Sequence, residues 1–181
     1  FFQLPQQPNS DGLVFKGGAG GAIEFEGRYT LFDRPGKLRL GAFLTRGRTA
    51  DYNQVVGIAA LNPAFDINDV AANTRRNRDK YGVYANLEQE ITDSVGFFAR
   101  GSWNDGRSEI LSFTDIDRSV SAGFSIKGTS WGRPDDRIGI GGAINGLSKA
   151  HQNFLAAGGY GLLIGDGRLN YGTEKIFETF Y

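Results

Sequence analysis

Seven stretches of this chain alternate apolar and polar side chains in steps of two, and the gaps between them run short, long, short, long. A period of two belongs to an extended strand, whose successive side chains point to opposite faces. In the first stretch Ile23, Phe25, Tyr29 and Leu31 share one side, while Ala22, Glu24, Glu26, Arg28 and Thr30 share the other. One face suits oil and the other suits water. Such strands, running up and down with unequal connections, are the pattern of an all-β fold, an antiparallel transmembrane β-barrel of outer-membrane type. Its apolar side meets lipid and its polar side lines a lumen.

The alternation predicts strands over 18–32, 37–48, 80–91, 95–104, 118–129, 136–145 and 174–181. Asp33-Arg34-Pro35-Gly36 reads as the first reversal, because Pro presets φ and Gly accepts a positive one. The links at 92–94 and 132–136 are equally short. Outer-membrane barrels keep short turns on the periplasmic side and long loops outside, which assigns 49–78, 105–117 and 146–172 to external loops. The loop 49–78 shows no steady period, and a helical turn is expected over Ser148 to Ala157. Tyr81, Trp103 and Trp131 fall near strand ends on the lipid side, where amphipathic rings prefer the membrane interface.

Charge and composition narrow the classes. Twenty basic residues balance twenty acidic ones, so no bulk field recruits nucleic acid or an anionic surface. Cysteine is absent, which removes disulfides and thiolate metal sites. No run approaches the roughly 18 apolar residues of a membrane-spanning helix. The opening tract Phe1-Phe2-Gln3-Leu4-Pro5 has neither the basic nor the apolar region of a signal peptide, so a processed chain or a piece of a longer one is expected.

Several tracts, in order, resemble the OprB family of carbohydrate-selective porins. They are Arg34-Pro35-Gly36-Lys37-Leu38-Arg39, Phe98 through Trp103-Asn104-Asp105-Gly106-Arg107-Ser108-Glu109, and Phe113-Thr114-Asp115-Ile116-Asp117-Arg118. Trp131-Gly132-Arg133-Pro134-Asp135-Asp136 follows, then Ile144-Asn145-Gly146-Leu147-Ser148-Lys149-Ala150-His151. The last runs from Leu155-Ala156-Ala157-Gly158-Gly159 through Gly165-Asp166-Gly167 and Tyr171-Gly172 to Glu178-Thr179-Phe180-Tyr181. The resemblance implies a single porin barrel domain of about sixteen strands in the bacterial outer membrane, of which residues 1–181 would supply about seven. It implies passive, carbohydrate-selective diffusion of small sugars, with no enzymatic step and no cofactor. Its partners would be small carbohydrates, outer-membrane lipid, the remaining strands of the same barrel and, in an oligomer, further copies of itself.

The lumen-facing charges on this reading are Glu24, Glu26, Arg28, Arg39, Glu88, Glu90, Arg100, Lys127, Arg137, Glu174 and Glu178. Sugar hydroxyls donate and accept, so fixed carboxylates and guanidinium forks can pass a sugar from one hydrogen-bond partner to the next. Arg133, Asp135 and Asp136 are assigned a structural role in a periplasmic turn. Asp115 and Asp117 have the spacing of a calcium loop but lack its Gly and closing Glu, so no metal is expected. His151, the single histidine, reads as a solvated loop residue and precludes a multi-histidine zinc site. Glu24 with Glu26, and Glu88 with Glu90, stand at glycosidase-like separations of roughly 6.5–7 Å, but an open wall gives them no sealed pocket. Gly17-Gly18-Ala19-Gly20-Gly21 has no Lys-Ser pair and no helix to make it a phosphate loop. The alternative from another class is a soluble β-rich carbohydrate-binding module, whose apolar faces would pack into a core.

Overall fold

In the computed structural model residues 18–110, 114–161, 163–165 and 167–181 are described; the opening tract, Gly17, Phe113 and Asp166 lie outside them. Seven strands form one antiparallel sheet in strict chain order: β1 (Ala19–Leu31), β2 (Arg34–Thr49), β3 (Arg76–Thr92), β4 (Val95–Asn104), β5 (Arg118–Lys127), β6 (Arg137–Gly146) and β7 (Glu174–Phe180). β1 and β7 are its two edges, and the sheet is open.

Register decides which side chains share a face. One row across the sheet is Phe25, Leu40, Ala85, Gly101, Val120 and Ile144; the row beside it is Glu26, Arg39, Asn86, Arg100, Ser121 and Ala143. Because a shift of one residue would turn a whole strand over, this agreement across six strands fixes an apolar face and a polar face. β7 is the exception, since Ile176 and Phe180 join Glu174 and Glu178 on the polar side.

The first reversal falls at Phe32 and Asp33, with φ of 52° and 57°, rather than over Asp33–Gly36. Two residues with positive φ match the right-handed twist of the strands they join. Pro35 then sits inside β2, one residue before its ladder with β3 begins at Gly36 and Gln89, where a missing N–H costs that ladder nothing. Between β3 and β4, Thr92 Oγ1 accepts from Ser94 N (3.3 Å) and Val95 N (3.1 Å). β5 passes into a 3-10 turn over Gly128–Trp131, closed by Gly132 at φ 75°.

At the other end of the sheet the three long links fold onto each other. Link 49–78 is largely helical, as α1 (Tyr52–Leu61) and α2 (Ile67–Thr74), and β3 starts at Arg76, earlier than the alternation suggests. Asp51 and Asp66 cap the two helices by accepting from Gln54 N and Asn68 N, and Asn62-Pro63 stops α1. In link 146–172, Ser148 caps α3 (Lys149–Ala156) by accepting from His151 N at 3.1 Å. Tyr52 and Val55, Ile67 and Val70, and Leu147, Phe154 and Leu155 bury together as one core. Among the described residues this small cap holds the buried hydrophobic core; the sheet below it has no second layer.

Candidate functional site

All eleven candidate charges stand on the polar face. On β1 to β3 they form a connected ladder. Arg39 Nε lies 2.7 Å from Glu26 Oε2 and 3.9 Å from Glu24 Oε1, and its Nη1 lies 3.1 Å from Glu88 Oε1. Arg28 Nε reaches Glu26 Oε1 at 2.8 Å, and Lys37 Nζ reaches Glu88 Oε2 at 2.9 Å. Arg34 bridges Glu90 and Asp93. Tyr84 donates its hydroxyl to Glu24 at 2.8 Å. Singly, such exposed pairs contribute little, because water screens them. Joined through Arg39, they hold acids and guanidinium forks at fixed positions on the wall.

Across β4 to β6 the chemistry changes. Arg100 donates to Asn86 Oδ1 (3.3 Å) and covers the Phe98 ring at 5.3 Å. Lys127 and Arg137 stand opposite one another, and Asn145 donates to Glu174 at 2.6 Å. A recess of about 440 Å³ lies between the two regions, bordered by Glu24, Arg39, Tyr84, Asn86, Arg100 and Ser121. It offers donors and acceptors within one sugar's reach of each other, as hydroxyl recognition requires.

The opposite face is apolar and uncovered. Ile23 is 74% exposed, Phe25 75% and Val120 65%. A soluble module would pack these groups away, and here they meet no second layer. Phe97 and Phe124 pair across β4 and β5 with ring centroids 5.3 Å apart. Tyr81 and Trp103 meet edge to face at 5.9 Å near the cap, while Trp131 lies in the 3-10 turn at the far end. In that turn Arg133 pairs with Asp136, which also accepts from Tyr181, and Asp135 is exposed.

His151 is not solvated: it is fully buried in the cap. Its Nδ1 lies 3.0 Å from Asp117 Oδ2, its Nε2 lies 4.0 Å from Asp115 Oδ1, and its ring stacks on Tyr52 at 4.5 Å. Asp117 also accepts from Ser148 N (2.8 Å), and Lys80 Nζ donates to Ser108 O (2.9 Å). Burial pushes the Asp117 carboxyl up, but His151 and the Ser148 amide hold it, on balance, below its usual range. Burial raises Asp105, with Lys80 opposing, and pushes the Tyr52 phenol well above its usual value. Among the described residues no acid and histidine cluster is arranged to hold a metal.

Lys37 and Tyr84 belong to the wall but are not among the eleven candidates, although alternation puts both on the polar side, two residues from Arg39 and Asn86. Register adds their neighbours: Lys37 falls opposite Arg28, and Tyr84 falls beside Gly41 on the row of Glu24.

A two-faced antiparallel meander with a charged wall and an uncovered apolar band is the architecture of a barrel wall. The whole chain, residues 1–181, matches the family model described as carbohydrate-selective porin, OprB family, and the chain belongs to that family. Its fold is similar to a structure of Pseudomonas putida OprB solved at high pH, with a TM-score of 0.60 and 20% identity, covering 76% of this chain. The chain spans 32% of the length of that structure. No protein with a curated description matches.

Proposed function

We propose that these seven strands are part of the wall of a bacterial outer-membrane porin that lets small sugars diffuse passively, without a chemical step or cofactor. The remaining strands of the same barrel pair with the edges β1 and β7, lipid solvates the apolar face, and the long links 49–78, 105–117 and 146–172 face outside. Tyr81, Trp103 and Trp131 sit at the two interfaces of the membrane. Arg28, Arg39, Arg100 and the acids beside them line the passage and exchange hydrogen bonds with sugar hydroxyls. Weak, repeated contacts favour transit over capture.

The observation that carries this reading is the segregation of charge. Every one of the eleven candidate ions shares a face, and the other face leaves residues such as Ile23 and Phe25 open. Liposome swelling tests it. Vesicles carrying the assembled protein should swell in isosmotic glucose, and Arg39→Ala should change the relative rates for sugars of different size. Absence of swelling with the unsubstituted protein would overturn the proposal.

A further inference from the structure

Like charges directly opposite each other on a sheet repel, and a stable wall places acids beside them. Two such pairs occur on the polar face. Arg28 stands opposite Lys37 on β1 and β2, and each has its own acid, Glu26 and Glu88 respectively. Lys127 stands opposite Arg137 on β5 and β6, and the strands around them, β4 to β6, contain no Asp or Glu at all. Lys127 Nζ donates to the carbonyl of Asp93 (3.2 Å) and Arg137 Nη1 to Ser125 Oγ (3.4 Å). The Asp93 carboxylate is engaged mainly by Arg34, with Lys127 as a weaker charged neighbour. Arg100, bordering the same recess of about 790 Å³, meets among the described residues an amide and an aromatic ring. The acids on the far side of that recess, Glu88 and Glu90, are bound to Lys37, Arg39 and Arg34.

One side of the wall therefore carries neutralised ions, and β4 to β6, between that side and the acids Glu174 and Glu178 of β7, carry a strip of cations beside serine hydroxyls. We infer that this strip receives anionic sugars, small carbohydrates bearing a carboxylate or a phosphate group. The anion supplies the charge that β4 to β6 lack, and Ser121 and Ser125 serve the sugar hydroxyls. Arginine and lysine differ usefully here, since the Arg137 fork takes a carboxylate or phosphate edge-on while Lys127 follows it as a mobile point charge. This inference rests on the sugar-porin reading and narrows its substrate class.

The test compares glucose, glucuronate and glucose 6-phosphate entering liposomes that contain the assembled protein. Lys127→Gln with Arg137→Gln should lower the glucuronate-to-glucose flux ratio about threefold, the scale of losing partly screened ion contacts. Lys127→Arg with Arg137→Lys should retain it. A ratio that the glutamine pair leaves unchanged overturns the inference, and shows the cations to be neutralised from elsewhere in the barrel. Loss of the ratio for glucose 6-phosphate alone assigns the strip to phosphate, and loss for both assigns it to anionic sugars generally. Should the glutamine pair not assemble, zero-current potentials of the unsubstituted protein in a potassium glucuronate gradient decide: anion preference supports the strip, cation preference overturns it. Failure of all three sugars to enter through the unsubstituted protein would instead sink the sugar-porin reading itself.

Discussion

His151 Nδ1 lies 3.0 Å from Asp117 Oδ2, with the imidazole fully buried and the carboxylate side chain 2% exposed. A carboxylate can only accept, so Nδ1 carries the proton. The contact joins α3 to the end of link 105–117, and Tyr52 stacks on the same ring from α1. Three links that are far apart in sequence thus meet at one side chain. The cap has a polar pin at the centre of its apolar core.

Removing that pin should loosen the cap without unmaking the sheet. His151→Ala leaves Asp117 buried with one strong partner fewer, a change that costs about 1.5–3 kcal/mol for a hydrogen bond to a charged group. Amide hydrogen exchange in the detergent-solubilised protein should rise over α1 and α3 and stay slow over β3 to β5. Unchanged protection of α3 would show that Phe154 and Leu155 hold it alone.

Acid should do the same by another route. The folded Asp117 carboxyl titrates below its ordinary value of 3.8, so it contributes stability above that pH and loses it as pH falls through the lower, folded value. The cap is expected to open in acid, in the window below about pH 3.8. Asp117→Asn should remove that acid step from an exchange profile measured against pH. An identical step in the variant would assign the transition to another carboxylate.

Strand faces were legible on β1 to β6 because each carries an apolar and a polar side, as in Phe97 against Arg100 on β4. The start of β3 was not, since Arg76, Asn77, Arg78 and Asp79 are polar on both sides where the long links cover the sheet end. α1 hid for the opposite reason: Val55, Val56, Ile58 and Ala59 share the side that packs toward the cap core, but Leu61 is apolar on the exposed side and blurs the stripe. α2 does carry a helical spacing in Ile67, Val70, Ala71 and Thr74, masked by the Asn and Asp residues between them. The wall's ions could be placed on one face by alternation, but their partners could not. Which acid meets Arg39 depends on a reversal at Phe32 and Asp33, and Pro35-Gly36 advertises that reversal at the wrong place. His151 looked solvated because burial of a lone loop histidine is created by Asp115, Asp117 and Tyr52, all distant in sequence.

Tyr84 lies across Gly41, where an added Cβ would fall 2.1 Å from the ring's Cζ. An aromatic ring covering a glycine on the next strand is a known way to restore packing that glycine lacks. Gly41→Ala should push the ring off and break its bond to Glu24, lowering stability modestly. The displaced ring turns into the recess beside Arg39, so glucose-driven swelling should slow while the protein still assembles. Swelling at the original rate would show that the recess lies off the sugar's path.

Phe124 tests the assignment of faces most directly. It lies opposite Phe97 and Ile140 on the apolar side and is 47% exposed. A cation on a lipid-facing strand position near mid-membrane costs about 2–4 kcal/mol, enough to impair insertion of a barrel that must assemble cooperatively. Phe124→Arg should therefore reduce the folded, heat-modifiable species recovered from membranes. Ser119→Arg places the same side chain on the same strand but on the polar face, between Ser102 and Asn145, where water can solvate it, and it should assemble normally. If both variants assemble alike, lipid does not contact the face that carries Phe124. If both fail alike, the loss belongs to strand β5 and not to the face it presents.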